Sequence, residues 1–443
     1  MTSIHDATYE HVAQWVGHQG QPRFRADQIW NWIWAKGVTS FEHMRNIPQA
    51  LRHELASTFS LALPSVHDVQ TSQDGSLKLL LKLADGHLVE TVLIPGPTHY
   101  TQCLSSQVGC ALGCTFCSTG QMGLARNMTA GEIAGQVLLA RQYLEQIHSG
   151  LHLRNLVFMG MGEPLLNWSH VDHALDCLTS KKGMNFSPRR VTVSTVGIPD
   201  TLDALGHSHK ASLAVSLHAP TQSLRDTLMP KAARLLPLDA LLARLRSYPL
   251  APRQRITIEY VLLGGVNDSL HHARDLVRSL NGIRCKVNLI AFNACPGLPY
   301  ASPDPAQVVA FADLVHAKGV TATLRKSKGQ DIAAACGQLK TSTMKACRPR
   351  MRSHLCSGPT QHRQNPKGIT YATPRFCQRQ RPDPSHSPGR RHRRSPYAGL
   401  YERRSLGANP YNRGGPLLQS QSGLPLAQRR NVGTRAKSSQ HPP

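Results

Sequence analysis

No stretch of this sequence holds 18 consecutive apolar residues, so no part of it reads as a membrane-spanning helix. The first sixteen residues lack the apolar run of a secretory signal and carry His5, Asp6, Glu10 and His11 instead, so a cytoplasmic protein with no membrane partner is expected. A disulfide framework is also lacking. Eleven cysteines are spread over 443 residues, and three of them sit in one tight cluster. In a cytosolic chain such a cluster suggests metal or redox chemistry. Acidic residues are scarce at the C-terminal end, where Lys340–Pro443 holds 21 Lys and Arg against two Asp and Glu. Residues 1–339 hold 30 basic and 24 acidic residues, so most of the net charge of +25 belongs to the tail. A basic balance suits a polyanion such as nucleic acid. For the nearly balanced first 339 residues, a merely solvated surface is an equal reading.

Hydrophobic periodicity is absent after Leu339. The segment is rich in Arg, Pro, Ser and Gln, as in Arg390–Pro396, and offers few aliphatic side chains to bury. It is expected to be disordered. Cys347, Cys356 and Cys377 lie in it without metal-type spacing.

What is present divides into three parts. Residues 1–65 read as a small helical unit, with helical apolar spacing over His11–Val16 and Ala26–Ala35. Trp15, Trp30, Trp32 and Trp34 crowd into it, and a local aromatic core is a better reading of them than a base-stacking platform. Residues 66–340 open with two strand-like runs, Leu77–Leu83 and His87–Ile94, separated by the hairpin-type turn Asp85-Gly86. Short apolar runs then alternate with helical segments. The runs are Leu153–Met159, Arg190–Thr195, Ser212–His218, Ile256–Leu263, Lys286–Phe292 and Val320–Leu324. The intervening helices are Ala130–Gln146, Val171–Leu178, Leu238–Tyr248, Leu270–Leu280 and Ala306–Lys318. This alternation predicts a parallel α/β sheet, open or closed into a barrel. Ligands of such folds sit beyond the C-terminal strand ends.

The central motif is Cys110-Ala-Leu-Gly-Cys114-Thr-Phe-Cys117. Three thiolates at this spacing can hold three irons of a [4Fe–4S] cluster and leave the fourth open. A zinc site completed by Cys103, seven positions upstream, is the competing reading. Phe116 can shield a cluster or pack as an ordinary core aromatic. Elsewhere, Gly162-Glu163-Pro164 follows a strand, and Ser194, Ser216, His218 and Asn293 each stand at or past a strand end. Alone, each is as well read as a turn or cap. Cys336, beside Gly337, is by itself an ordinary small buried residue. Glu90 shares strand parity with Leu88, Val92 and Ile94, so it is expected on a largely apolar face, where burial would strengthen it as a base.

In order along the chain, CLSSQVGCALGCTFCSTGQMGLARNMTAGEI, MGMGEPLLN, VTVSTVGI, VSLHAP, IEYVLLGGVND, NLIAFN and ACGQL resemble the RlmN family of radical S-adenosylmethionine (SAM) RNA methyltransferases. The resemblance covers about Gln21–Leu339. It implies a partial (β/α)6 radical SAM barrel with a small N-terminal helical accessory domain, followed here by the disordered basic tail 341–443. It also implies a [4Fe–4S] cluster on Cys110, Cys114 and Cys117. SAM contacts are implied at Gly162, Glu163, Ser194, Ser216, Leu217, His218 and Asn293. The implied reaction is methylation at C2 of an adenine in 23S rRNA and of the adenine 3′ of the anticodon in tRNA. In that route Cys336 carries the methyl carbon, Glu90 accepts a proton, and Cys103 releases the product by forming a disulfide with Cys336. Partners would be these RNAs and an electron-donor protein, with the chain acting as a monomer.

Two alternatives stay open at this stage. One is the Cfr-like relative that methylates C8, although Ser105–Gly109 reads more like RlmN. The other is a zinc-stabilised RNA-binding protein. The chain departs from the family in running about a hundred residues past ACGQL. That tail is either an RNA-attracting arm or an extended reading frame without a selected role.

Overall fold

The computed structural model describes residues 1–341 apart from Pro296. Helices α1 (Tyr9–His18), α2 (Phe24–Trp34) and α3 (Gln49–Thr58) come first. Ten strands then form one sheet in sequential order. Strands β1 (Ser65–Thr71), β2 (Leu77–Lys82), β3 (Leu88–Pro95) and β4 (His99–Cys103) make an antiparallel meander. From β4 onward every pairing is parallel, through β5 (His152–Phe158), β6 (Val191–Thr195), β7 (Ser212–Ser216), β8 (Ile256–Leu262), β9 (Cys285–Ala291) and β10 (Ala322–Arg325).

Helical crossovers join the parallel strands, as a parallel pairing requires. They are α4 (Ala130–Gln146), α5 (Trp168–Thr179) and α6 (Pro199–Ser208), then the group α7 (Gln222–Leu228), α8 (Pro230–Leu235) and α9 (Leu238–Ser247), and finally α10 (Leu270–Ser279) and α11 (Pro305–Ala317). Six strand–helix units and a closing strand give the partial barrel. Side chains of β4, β5, β6, β8, β9 and β10 line one common cavity, so the sheet curls around an interior.

Two elements exceed the sequence expectation. The hairpin is a meander that starts at β1. The first parallel strand is β4, whose sequence His-Tyr-Thr-Gln-Cys is too short and polar to read as a buried strand. Its Gln102 is nevertheless fully buried, because its amide donates to Thr91 Oγ1 at 3.0 Å and to the Gln136 carbonyl at 2.9 Å. The helix starts are local chemistry. Thr129 and Glu132 form a capping box at the head of α4, and Arg126 clamps the Glu132 carboxylate with two 2.8 Å bonds.

The N-terminal helices share their hydrophobic core with the barrel. Trp30 and Trp34 are buried edge to face with ring centroids 5.8 Å apart, the arrangement of core aromatics. The Gly131 N–H donates to Asp6 Oδ1 at 2.7 Å. A Cβ at Gly131 would lie 2.8 Å from that of His5, so a glycine lets the N-terminal segment close onto α4. Among the described residues no helix is long and apolar enough to cross a membrane.

Candidate active site

One cavity, ≈ 1020 Å³ counted out to its mouth, opens at the C-terminal ends of the parallel strands. Cys110, Cys114 and Cys117 reach it from the loop after β4. Backbone satisfaction fixes this loop. Buried Gln136 accepts from the Ser105 N–H at 3.0 Å and donates to the Ser105 carbonyl at 2.8 Å. Gln107 accepts from the Glu163 N–H at 2.8 Å, and Asn167 donates to the carbonyls of Ser106 and Met128, both at 2.8 Å. Ser105-Ser106-Gln107 therefore ties the cysteine loop to the Gly162-Glu163 loop. At Gly109 φ is +80°, and a Cβ there would fall 1.9 Å from the Gly123 oxygen, which also accepts the Cys110 N–H at 2.8 Å. Only glycine fits.

Burial pushes all three thiols up, Cys110 to about 11, and each of Cys110 and Cys114 is pushed further by its neighbours' negative charge. Such a trio is stable as thiolates only beside added positive charge, which an iron–sulfur cluster provides. Among the described residues, no three His, Cys, Asp or Glu side chains converge on a single metal-ion position. A cluster does not need that convergence, because each thiolate takes a different iron. Cys103 does not line this cavity, so the four cysteines of a zinc site are not brought together.

Gly162, Glu163, Ser194, Ser216, His218 and Asn293 all face the same cavity. Gly162 (φ +99°) has no room for a side chain, since a Cβ would lie 2.5 Å from Gln107 Cβ. Buried Glu163 accepts from the N–H groups of Leu165 and Val196, both at 3.0 Å. Burial still raises its pKa to about 7 against those bonds. Ser194 Oγ and Ser216 Oγ are 3.4 Å apart on adjacent strands. His218 (φ +54°) accepts the Val261 N–H on Nδ1 at 3.1 Å. Burial, with Arg225 nearby, lowers its pKa to about 3, so the ring is neutral. Phe116 packs edge-on to it at 5.0 Å. Asn293 donates to Ser327 Oγ at 2.9 Å.

Leu217 is not brought to the cavity. Its side chain is in the core, its N–H donates to the Glu259 carbonyl at 3.1 Å, and its carbonyl accepts from Arg225 at 3.2 Å.

Cys336 lines this cavity and also a smaller one beside it, which it shares with Cys103 and Arg325. Both thiols are free. Burial first, then Cys336, pushes the Cys103 thiol up to about 12, while Arg325 pulls it down. The Thr119 hydroxyl donates to the Leu339 carbonyl at 2.6 Å, which helps seat ACGQL on the cysteine loop.

Glu90 lies just outside. It is buried as expected, but not alone on an apolar face. Lys78 Nζ is 3.2 Å from its carboxylate, and the Lys340 N–H donates to it at 2.9 Å. The lysine comes from the neighbouring strand, where strand parity within β3 alone could not reveal it.

Sequence reasoning also passed over Arg325. It ends β10 and sits against Cys336, whose negative charge is the main cause raising its pKa. Its position at the C-terminal end of a barrel strand was the available signal. The Lys326 and Lys328 that follow make it look like part of a solvated charge run.

Comparison with known proteins agrees with this geometry. Residues 2–61 match the ribosomal RNA large subunit methyltransferase N-terminal domain, and residues 104–277 match the radical SAM superfamily. A dual-specificity RNA methyltransferase RlmN of Nitratidesulfovibrio vulgaris is 55% identical over 351 residues, 78% of this chain and 95% of that one. Its counterpart from Solidesulfovibrio magneticus is 53% identical over 77% of this chain and 97% of its own. A crystal structure of a radical SAM methyltransferase from Sphaerobacter thermophilus superposes with a TM-score of 0.72 at 40% identity, covering 77% of this chain and 99% of that one. The chain thus belongs to the RlmN family of radical SAM RNA methyltransferases.

Proposed function

We propose that this chain methylates C2 of an adenine in 23S rRNA and of the adenine 3′ of the anticodon in tRNA. The dual specificity in the names of its relatives supports both RNA classes. The observation that carries the reading is the double exposure of Cys336, which faces the three-cysteine cavity on one side and Cys103 on the other.

Cys110, Cys114 and Cys117 would hold a [4Fe–4S] cluster, which supplies the electron that cleaves SAM. Gly162 leaves room for close approach. Glu163, Ser194, Ser216 and Asn293 present the polar groups that orient SAM, and neutral His218 adds no competing positive charge. C2 of adenine is electron-poor and its hydrogen is not acidic, so direct SN2 transfer to it is unpromising. A thiolate is a good SN2 acceptor, so Cys336 takes the methyl group first. Arg325 lies against that sulfur and holds it by a side-chain hydrogen bond. The S-methyl group gives up a hydrogen atom to the radical derived from SAM, and its carbon bonds to C2. The adduct loses one electron, which the redox centre held by Cys110, Cys114 and Cys117 would accept. Glu90 takes the C2 proton, with Lys78 holding its carboxylate in place. Cys103 then attacks the Cys336 sulfur, and the sulfur–carbon bond breaks with its electron pair going to the carbon. That carbon takes up a proton to become the methyl group on the RNA, and the disulfide left in the protein is reduced before the next turnover. An electron-donor protein and a cytoplasmic setting complete the requirements.

The test is mass spectrometry of ribosomal RNA digested after reaction with SAM and a reductant. 2-Methyladenosine is expected. A methyl group at C8 would assign the Cfr-like specificity, and one on an exocyclic nitrogen would remove the need for radical chemistry.

A further inference from the structure

A second cavity runs through the interior of the barrel, ≈ 1190 Å³ counted out to its mouth. Its wall is polar and short, with Thr101, Asn155, Thr192, Thr257, Asn288 and Thr323 pointing inward. In a filled barrel these layers would be bulky branched side chains. Around this wall stand Arg189, Arg190, Lys286, Lys326 and Lys328. Glu259 is the one carboxylate in the lining, and it accepts a 2.7 Å bond from Asn288. Among the described residues, none of the five cations has a carboxylate within 4.0 Å.

Five like charges around one concavity, opposed in the lining by Glu259 alone, repel one another and focus a positive potential that draws in anions. The cavity also leads to the chemistry. It shares Met159 and Glu259 with the cysteine cavity, and Met159, Arg325 and Lys328 with the space between Cys103 and Cys336.

We propose that this basic seam binds the RNA backbone. Arg189, Arg190, Lys286, Lys326 and Lys328 take the phosphates flanking the target nucleotide, and the target base turns inward toward Cys336. The threonine and asparagine wall offers hydrogen bonds to 2′-hydroxyls and base edges, as recognition of an unpaired RNA strand requires. The inference rests on RNA being the substrate, as set out above, and adds where its backbone lies.

The experiment uses the full chain and a short fluorescein-labelled RNA hairpin, with binding followed by anisotropy across a salt series. R189Q/R190Q/K286Q should bind more weakly. Its plot of log affinity against log salt should be shallower by about two units, since each single-strand phosphate contact contributes about 0.7. R234Q/R274Q/R278Q, which removes the same charge from exposed positions outside the seam, should change the slope by less than half as much. Iron content and SAM affinity by equilibrium dialysis should match wild type in both variants, which shows that the fold is intact. Equal slopes in the two variants, or a wild-type slope in the seam variant, would overturn the inference. If wild type itself binds no RNA, the proposed function fails rather than the seam alone.

Discussion

The backbone N–H of Ser118 donates to the carbonyl oxygen of Gly337 at 2.7 Å. Cys117 immediately precedes the donor and Cys336 immediately precedes the acceptor. One hydrogen bond thus joins the last cysteine of the C-x3-C-x2-C loop to the proposed methyl carrier, more than two hundred residues later in the chain. Gly337 has φ +80°, so the acceptor is presented from a backbone conformation that suits glycine.

The cysteine loop depends on Gly109 as much as on its three cysteines. Anaerobically reconstituted protein should contain about four irons per chain, the content of one [4Fe–4S] cluster, and Cys114→Ala should lose them. Gly109→Ala forces a methyl group into the Gly123 carbonyl and displaces Cys110. It should lower stability by about 2 kcal/mol or more and reduce iron retention. Gly86→Ala, also at positive φ but in open space, should cost only about 1 kcal/mol and leave iron unchanged. Differential scanning calorimetry with iron analysis separates the two, and equal behaviour would contradict the steric argument.

Arg325 lies against Cys336 and should speed its methylation by orienting the sulfur through a side-chain hydrogen bond. Arg325→Gln should slow methylation roughly tenfold, the effect of about 1.4 kcal/mol on the barrier. Arg325→Lys should recover part of the rate. Mass spectrometry of the Cys336 peptide during incubation with SAM measures this directly. An unchanged rate would remove Arg325 from the mechanism.

His5 is buried, and neither ring nitrogen has a hydrogen-bond partner. Burial lowers its pKa from 6.5 to about 4 in the folded protein. The unfolded chain therefore binds the extra proton between those values, so this contribution to stability is complete above pH 6.5 and is lost as pH falls through 4. The loss should reach roughly 3 kcal/mol by pH 4. His5→Phe should flatten the acid limb relative to wild type, while both proteins keep similar profiles above pH 7. Parallel urea titrations across this range test the sign, and matching acid limbs would contradict it.

The legible parts of the fold were those with local signals. Strands β5 to β10 read as apolar runs, the most buried being β6, β7 and β8, and the ordered motifs placed six of the seven implied SAM residues on one cavity. What the sequence concealed depends on pairing across the chain. The β4 strand is polar, and its buried Gln102 is held in the barrel by the Thr91 hydroxyl and the Gln136 carbonyl, which accept from its amide. The Lys78 beside Glu90 and the Arg325 beside Cys336 each come from a different element than the residue they serve. Leu217 carries a motif position, yet Arg225 and Glu259 already occupy its backbone groups. The expected disorder of the tail lies outside the described residues. Deleting Lys345–Pro443 and measuring activity addresses its role, with unchanged turnover expected.

The division of labour between Cys336 and Cys103 is tested most directly by trapping the covalent intermediate. Alanine at Cys103 cannot attack the Cys336 sulfur, so Cys103→Ala should accumulate a protein–RNA adduct that survives denaturing electrophoresis and disappears on RNase digestion. Cys336→Ala, and the double variant, should form none, because the carbon carrier is missing. Iron content should match wild type in all three, since Cys103 and Cys336 are not among the cysteines proposed to hold the cluster. Full turnover by Cys103→Ala, or an adduct that persists in the double variant, would contradict the roles assigned to both residues.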